Sequence, residues 1–250
     1  MLGNNKFHED KYNHDWMEID IRNLRTKYIN IEKDTRKSEQ MISLLDEHGF
    51  NNYERFNALT SPENSHAVLE KENELYGTHM CGLSHMKLLK ETIVEDGEPI
   101  LILEDDVDIE NIEYEIFIPK NADCIYFGIS HGDGNYVAEN VGYPKIGKDF
   151  LKVNRIFTTH AILHINPRYS AAACAITEFC ILTGMPFDSH GLAYQLQSHF
   201  NVYSPKQPFF YQSESKQNNP LHNVEALTRP RLLTETEKIL RGNGNRSMAI

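Results

Sequence analysis

The chain has 250 residues, a formal net charge of -11, 40% hydrophobic and 24% charged residues. That length suits one large α/β domain or two small ones, and the acidic balance excludes broad nucleic-acid binding, which needs a basic face. No apolar stretch nears the ~18 residues of a membrane span, and the polar first twenty positions hold no apolar signal core, so the expected location is the cytoplasm.

Residues 1–24 have weak periodicity and read as an arm or a peripheral helix, tacked to the body by Trp16, Ile19 and Ile21. Residues 26–31 are rich in β-formers and read as the first strand. A charged loop follows, and Asp34 or Thr35 is the natural N-cap for a helix over 36–47 that carries Met41, Ile42, Leu44 and Leu45. Gly49 terminates it. Residues 53–59 read as a second strand, and a strand–helix–strand opening is the signature of a parallel sheet. Residues 61–73 read as loop and surface helix. The next helix runs over 78–94, with Cys81, Ser84, His85, Leu88 and Thr92 at helical spacing on one face.

The apolar run over 99–103 stops abruptly in Glu104, Asp105, Asp106 and Asp108. It reads as a buried strand whose carboxyl end opens on a site. In open α/β sheets ligands gather at such ends. Clustered carboxylates repel one another, so a divalent cation with oxygen ligands, itself holding a phosphate, is the expected occupant. Strand alternation puts Glu104 and Asp106 on one side and Asp105 on the other. Asp106 is then paired either with Glu104 or with Asp108. The helix over 78–94 feeds this strand directly, which brings His85 within reach of the carboxylates.

Residues 109–119 form a mixed acidic and aromatic segment, and 122–128 the next strand. Residues 136–152, with Gly142, Pro144 and Gly147, read as a mobile loop that covers or receives a substrate. A strand over 157–165, a helix over 168–182, a turn over 184–190 and a short helix over 191–198 follow. Residues 201–203 read as a last strand and 207–219 as irregular. From residue 229 the chain is helical to about residue 240 and then reads as disordered. Cys81, Cys124, Cys174 and Cys180 show no C-x-x-C spacing, so reduced buried thiols are expected rather than zinc ligands. Singly, His85, His160 and His190 suit satisfied core histidines, Asp188 a helix cap and Arg36 a surface charge.

Their order carries more. Ile29-Asn30-Ile31 with Arg36 comes first, then Cys81-Gly82-Leu83-Ser84-His85 and Leu103-Glu104-Asp105-Asp106. Thr159-His160, Pro186-Phe187-Asp188 and a late Pro208, Gln212 and Ser215 follow. The series resembles glycosyltransferase family 25, the lipooligosaccharide and collagen galactosyltransferase group, over residues 26–216. The resemblance implies a Rossmann-like GT-A fold with a mostly parallel central sheet and flanking helices. Residues 25–228 would be the transferase domain, between the arm (1–24) and a C-terminal helix and flexible tail (229–250). It implies inverting transfer of a hexose, galactose or glucose, from a UDP-sugar to a hydroxyl of a glycan or protein, for lipopolysaccharide-type synthesis, with Mn2+ or Mg2+. Under it, Asp106 holds the metal with Glu104 or Asp108, and His160 is a further ligand. Asn30, Arg36, Ser84, His85, Glu104 and Asp105 meet the donor, Asp188 is the general base, and His190 stands beside it as a second candidate. Two alternatives use the same residues: a metal-dependent phosphoesterase, and a non-catalytic sugar- or partner-binding module on a transferase scaffold.

Overall fold

The computed structural model describes residues 15–61, 75–110, 112–128, 131–142, 150–157 and 159–212. The chain opens with β1 (Trp16–Asp20), a single 3-10 turn, β2 (Thr26–Asn30), α1 (Thr35–Glu47) and β3 (Tyr53–Asn57). Asp34 caps α1 by accepting from the Lys37 backbone N–H, and Gly49, at φ 72°, supplies the left-handed residue beyond its end. Then come α2 (Tyr76–Lys90), α3 (Ile93–Asp96), β4 (Ile100–Glu104), β5 (Val107–Ile109), β6 (Glu115–Pro119) and β7 (Cys124–Tyr126). They are followed by β8 (His131–Gly142), β9 (Phe150–Phe157), β10 (Ala161–His164) and α4 (Pro167–Thr183). A π-helical segment (Phe187–Leu196), a 3-10 turn (Gln197–His199), β11 (Val202–Pro205) and β12 (Phe210–Gln212) close the described chain.

Eight strands form one sheet in the order β3-β2-β4-β10-β7-β11-β9-β8. β2 pairs in parallel with β3 and β4, and β7 with β11, while β10 and β9 pair antiparallel on both sides. Six strands therefore run one way and two run against them, a mixed sheet that is mostly parallel by direction. β4 sits inside it, and Ile100, Leu101, Ile102 and Leu103 are all at 0% exposure, as a strand covered on both faces requires.

Alternation divides the core in two. Ile100 and Ile102 face Leu88, Leu89, Ile93, Tyr169 and Ala173, the layer of α2, α3, α4 and the π-helical segment. Leu101 and Leu103 face Ile21, Tyr28, Met41, Leu45, Ile116 and Ile118, the layer of α1 and the β1–β6 ribbon. A second ribbon, β5–β12, lies on this same side through Val107, Ile109 and Phe210. Gly82 lets α2 approach the π-helical segment: a Cβ there would stand 2.9 Å from the Phe187 ring. Among the described residues no helix is long and apolar enough to cross a membrane.

Four expectations change. Residues 16–20 are a strand, not an arm or helix, in register with β6 from Trp16↔Pro119 to Asp20↔Glu115, and Trp16, Ile19 and Ile21 do hold it to the core. The same pairing makes a strand of 115–119. Residues 136–142 and 150–152 belong to the long antiparallel β8–β9 pair, with register shifts near Gly132 and Gly142, rather than to one loop. Residues 210–212 pair with β5 instead of lying irregular. β1, β6 and β12 are made by partners distant in sequence, which local pattern does not reveal, while β8 and β9 are neighbours whose Gly-rich, irregular pairing hides them. The readings placed on residues 1–14, 62–73, 143–149 and 213–250 lie outside the described residues.

Candidate active site

The carboxyl ends of β2 and β4 and the start of β10 meet on one edge of the sheet. Asn30 ends β2, Glu104 ends β4, and the Glu104 backbone N–H donates to the His160 carbonyl at 2.9 Å. Beyond Glu104 the chain does not continue as a flat strand. Residues 105 and 106 form a turn into β5, so the alternation expected for Glu104, Asp105 and Asp106 breaks. Each of the three acids goes to a different neighbourhood.

Glu104 turns toward α2. Its Oε1 accepts from Thr159 Oγ1 at 2.6 Å and from Cys81 Sγ at 3.6 Å, and stands 3.2 Å from His85 Nε2. The His85 and Glu104 side chains are only 5% and 13% exposed. Asp105 turns toward the start of α1. It accepts from Lys37 Nζ at 2.9 Å and from Asn30 Nδ2 at 2.9 Å. Asn30 also donates to the Asp34 carbonyl, which ties this pair to the cap of α1. Asp106, 2% exposed, lies beside the β5–β12 ribbon, where Gln212 Nε2 donates to its Oδ2 at 3.4 Å. Asp108 sits on β5 and accepts from the Ile109 N–H.

The other sequence-derived candidates scatter. Arg36 is exposed; its neighbour Lys37 is the cation that reaches Asp105. Ser84 is fully buried, donates to the Met80 carbonyl at 2.7 Å and accepts from the Leu59 N–H at 2.9 Å. It fastens the chain after β3 onto α2. His160 is buried against Gly128, where any Cβ would collide with the imidazole, and its Nε2 lies 3.4 Å from the Phe210 carbonyl. Asp188, partly exposed in the first turn of the π-helical segment, accepts from the Ser189 N–H at 2.7 Å. The preceding residue, Phe187, packs on His85 with ring centroids 6.0 Å apart. Burial holds the Tyr126 phenol well above its ordinary range, and the nearby Asp188 charge adds to that shift. The π-helical segment whose first turn holds Asp188 packs against α4 and α2, so Asp188 belongs to the helix-covered side of the sheet. His190 is exposed and turned to Ser189 and Tyr194.

Lys37, Thr159 and Cys81 were given no role in the site by the sequence. Lys37 had a signal: the Asp34 cap bonds its N–H, which fixes the first turn of α1 at the end of β2. Cys81 and His85 had one as well, since i and i+4 share a helix face. The buried-thiol expectation holds for Cys124, Cys174 and Cys180, while Cys81 is partly exposed; none of the four is in a disulfide.

Residues 26–124 match the model of the family described as glycosyltransferase family 25 (LPS biosynthesis protein). The match runs from the first residue of β2 to the first residue of β7 and contains Asn30, Lys37, Cys81, His85 and Glu104–Asp106. The family resemblance carried by Ile29-Asn30-Ile31, Arg36, Cys81–His85 and Leu103–Asp106 is borne out over this segment, and glycosyl transfer is the general activity it supports. Among curated proteins none matches the chain. One solved structure similar to it is "a glycosyltransferase involved in the glycosylation of the major capsid of PBCV-1". That similarity has a TM-score of 0.45 at 10% identity, covering 85% of this chain and 97% of that one.

Proposed function

We propose, from the family 25 segment at residues 26–124, that the protein transfers a hexose from a UDP-sugar to a hydroxyl of a glycan or protein acceptor, with inversion, on a GT-A arrangement. The observation that carries this reading is the coincidence of that segment with the sheet edge where Asn30, Lys37, Glu104, Asp105 and Asp106 gather. Asn30 and the Lys37–Asp105 pair form a polar wall at the end of β2. They suit a nucleotide, with the exposed Arg36 at the start of α1 available to its phosphates.

A divalent cation, Mn2+ or Mg2+, is part of the proposal. Its fit rests on donor type: such ions take oxygen ligands and are held by one or two carboxylates plus substrate phosphates. Asp106, in the turn before β5, and Asp108, on β5, are oxygen donors of that type. Glu104 is drawn to α2 by Thr159 and His85, and His160 faces the Phe210 carbonyl. When bound, the cation would neutralise charge developing on the diphosphate.

The acceptor chemistry falls to Asp188. Its carboxylate takes the proton of the acceptor hydroxyl as that oxygen bonds to the anomeric carbon. The bond from that carbon to the diphosphate oxygen breaks, UDP leaves with the electron pair, and the configuration inverts. His85, packed on Phe187, holds the start of the π-helical segment and so the position of Asp188. The test compares Asp188→Asn with the unaltered protein in sugar transfer and in UDP binding. Transfer should be lost and UDP binding kept; full transfer by the variant would remove Asp188 from the role.

A further inference from the structure

We infer that Cys81, His85 and Glu104 form a second cation site, built for a borderline divalent ion such as Zn2+ rather than for the oxygen-seeking ion of the donor. Among the described residues this trio offers one ligand atom each, Sγ, imidazole N and carboxylate O, all within 4.8 Å of one another. Two of its three edges have the right lengths. With zinc bonds of about 2.3 Å to sulfur and about 2.0–2.1 Å to nitrogen or oxygen, a tetrahedron has N–O edges near ~3.4 Å and S–O edges near ~3.6 Å. His85 Nε2 to Glu104 Oε1 is 3.2 Å, and Cys81 Sγ to the same oxygen is 3.6 Å. The carboxylate oxygen thus already stands at tetrahedral spacing from the other two ligand atoms, and the third edge, sulfur to imidazole, closes within 4.8 Å.

The fold explains why. Cys81 and His85 lie one helical turn apart on the inward face of α2. Glu104 arrives from the end of β4, a separate element, so the ion would clamp helix to strand. Thr159 Oγ1, 2.6 Å from Glu104 Oε1, orients the carboxylate as an outer hydrogen bond does at many metal centres. His85 is nearly closed off while Cys81 and Glu104 are partly exposed, so an ion would enter from the side of Cys81 and Glu104. Thiolate, imidazole and carboxylate together favour zinc-like ions over Mg2+ or Mn2+. Binding replaces the Cys81 thiol proton, which passes to solvent. The site needs neither donor nor acceptor, so its test is independent of the transferase reading.

The full chain, stripped with a chelator, is titrated with Co2+ as a spectroscopic substitute for Zn2+. One equivalent should bind with a near-ultraviolet thiolate-to-cobalt band and the intense visible absorption of a tetrahedral centre, and Zn2+ should abolish both. Cys81→Ser should lose the thiolate band and bind Zn2+ at least ~10-fold more weakly, whereas Cys180→Ser should keep the band. Absence of the band in the unaltered protein, or its survival in Cys81→Ser, would overturn the inference. Should Cys81→Ser fail to fold, X-ray absorption of the zinc-loaded unaltered protein decides: one sulfur neighbour supports the site, and none or more than one overturns it.

Discussion

The two ends of the central sheet use polar residues in different ways. At the amino end, where β7 and β11 begin and β10 stops, polar groups close on one another. Asp123 accepts from Asn166 Nδ2 at 2.5 Å and from the Asn201 N–H at 2.7 Å, and its carbonyl receives two further backbone N–H groups. His164 stands 3.2 Å from Ser170 Oγ in full burial. These groups staple loops and offer nothing outward. At the carboxyl end, three successive acids diverge, one to α2, one to α1 and one to the β5–β12 ribbon. The first arrangement is what a stable corner needs; the second leaves three carboxylates along the edge at which open α/β sheets collect their ligands.

The comparison is broken if substitutions at the two ends have the same consequence. The largest expected effect is at Asp106: Asp106→Ala should lower metal-dependent transfer on the order of 10^3-fold, the loss of several kcal/mol of charge stabilisation, while changing the urea midpoint little. Asp188→Asn should follow, with a loss of roughly 10^2-fold or more, the range of general-base catalysis, read as turnover against unaltered UDP affinity in calorimetry. At the other end, Asp123→Ala should cost about 3 kcal/mol of stability by removing an ionised acceptor from two donors, measured by urea unfolding, with UDP affinity unchanged.

His164 gives the comparison a pH axis. Burial pushes its imidazole down to about 3, with the His85 charge a smaller contribution. In the unfolded chain it titrates near ~6.5. The native state therefore binds fewer protons, so stability should be level above about pH 6.5 and fall as pH drops toward 3, by at most ~1.4 kcal/mol per pH unit. His164→Gln should flatten that part of the curve in urea unfolding at pH 7, 6 and 5. The smallest effect is expected at Lys37→Met, about 1.5 kcal/mol from a charged hydrogen bond, with weaker UDP binding because Asp105 then loses its cation.

The same division governs what could be read from the chain. The β2–α1–β3 opening, α2, α4 and the apolar run of β4 were legible, because each carries its own period, cap or burial pattern. Asp34 with Gly49, and the unbroken Ile100–Leu103, are local signals. β1 with β6 and β5 with β12 were not, because their strands exist through partners far along the chain; β8 and β9 are neighbours in sequence, but His131-Gly132-Asp133-Gly134-Asn135 has little strand preference of its own and the pair is broken by register shifts. In the site, the position of the acids was legible and their directions were not. The turn at 105–106 ends the alternation that a continuing strand would have kept, and so separates Glu104 from Asp106. Arg36 and Lys37 differ by one position on α1, and the cap at Asp34 decides that Lys37 is the one that faces the sheet.

UDP release from a panel of UDP-sugars, with and without Mn2+, for the unaltered protein and for Asp106→Ala, tests the central claim most directly. The account predicts Mn2+-dependent release from at least one UDP-hexose by the unaltered protein, and its loss in Asp106→Ala while the variant keeps its urea midpoint. Release at full rate by Asp106→Ala, or no release from any donor with any divalent metal, would contradict it.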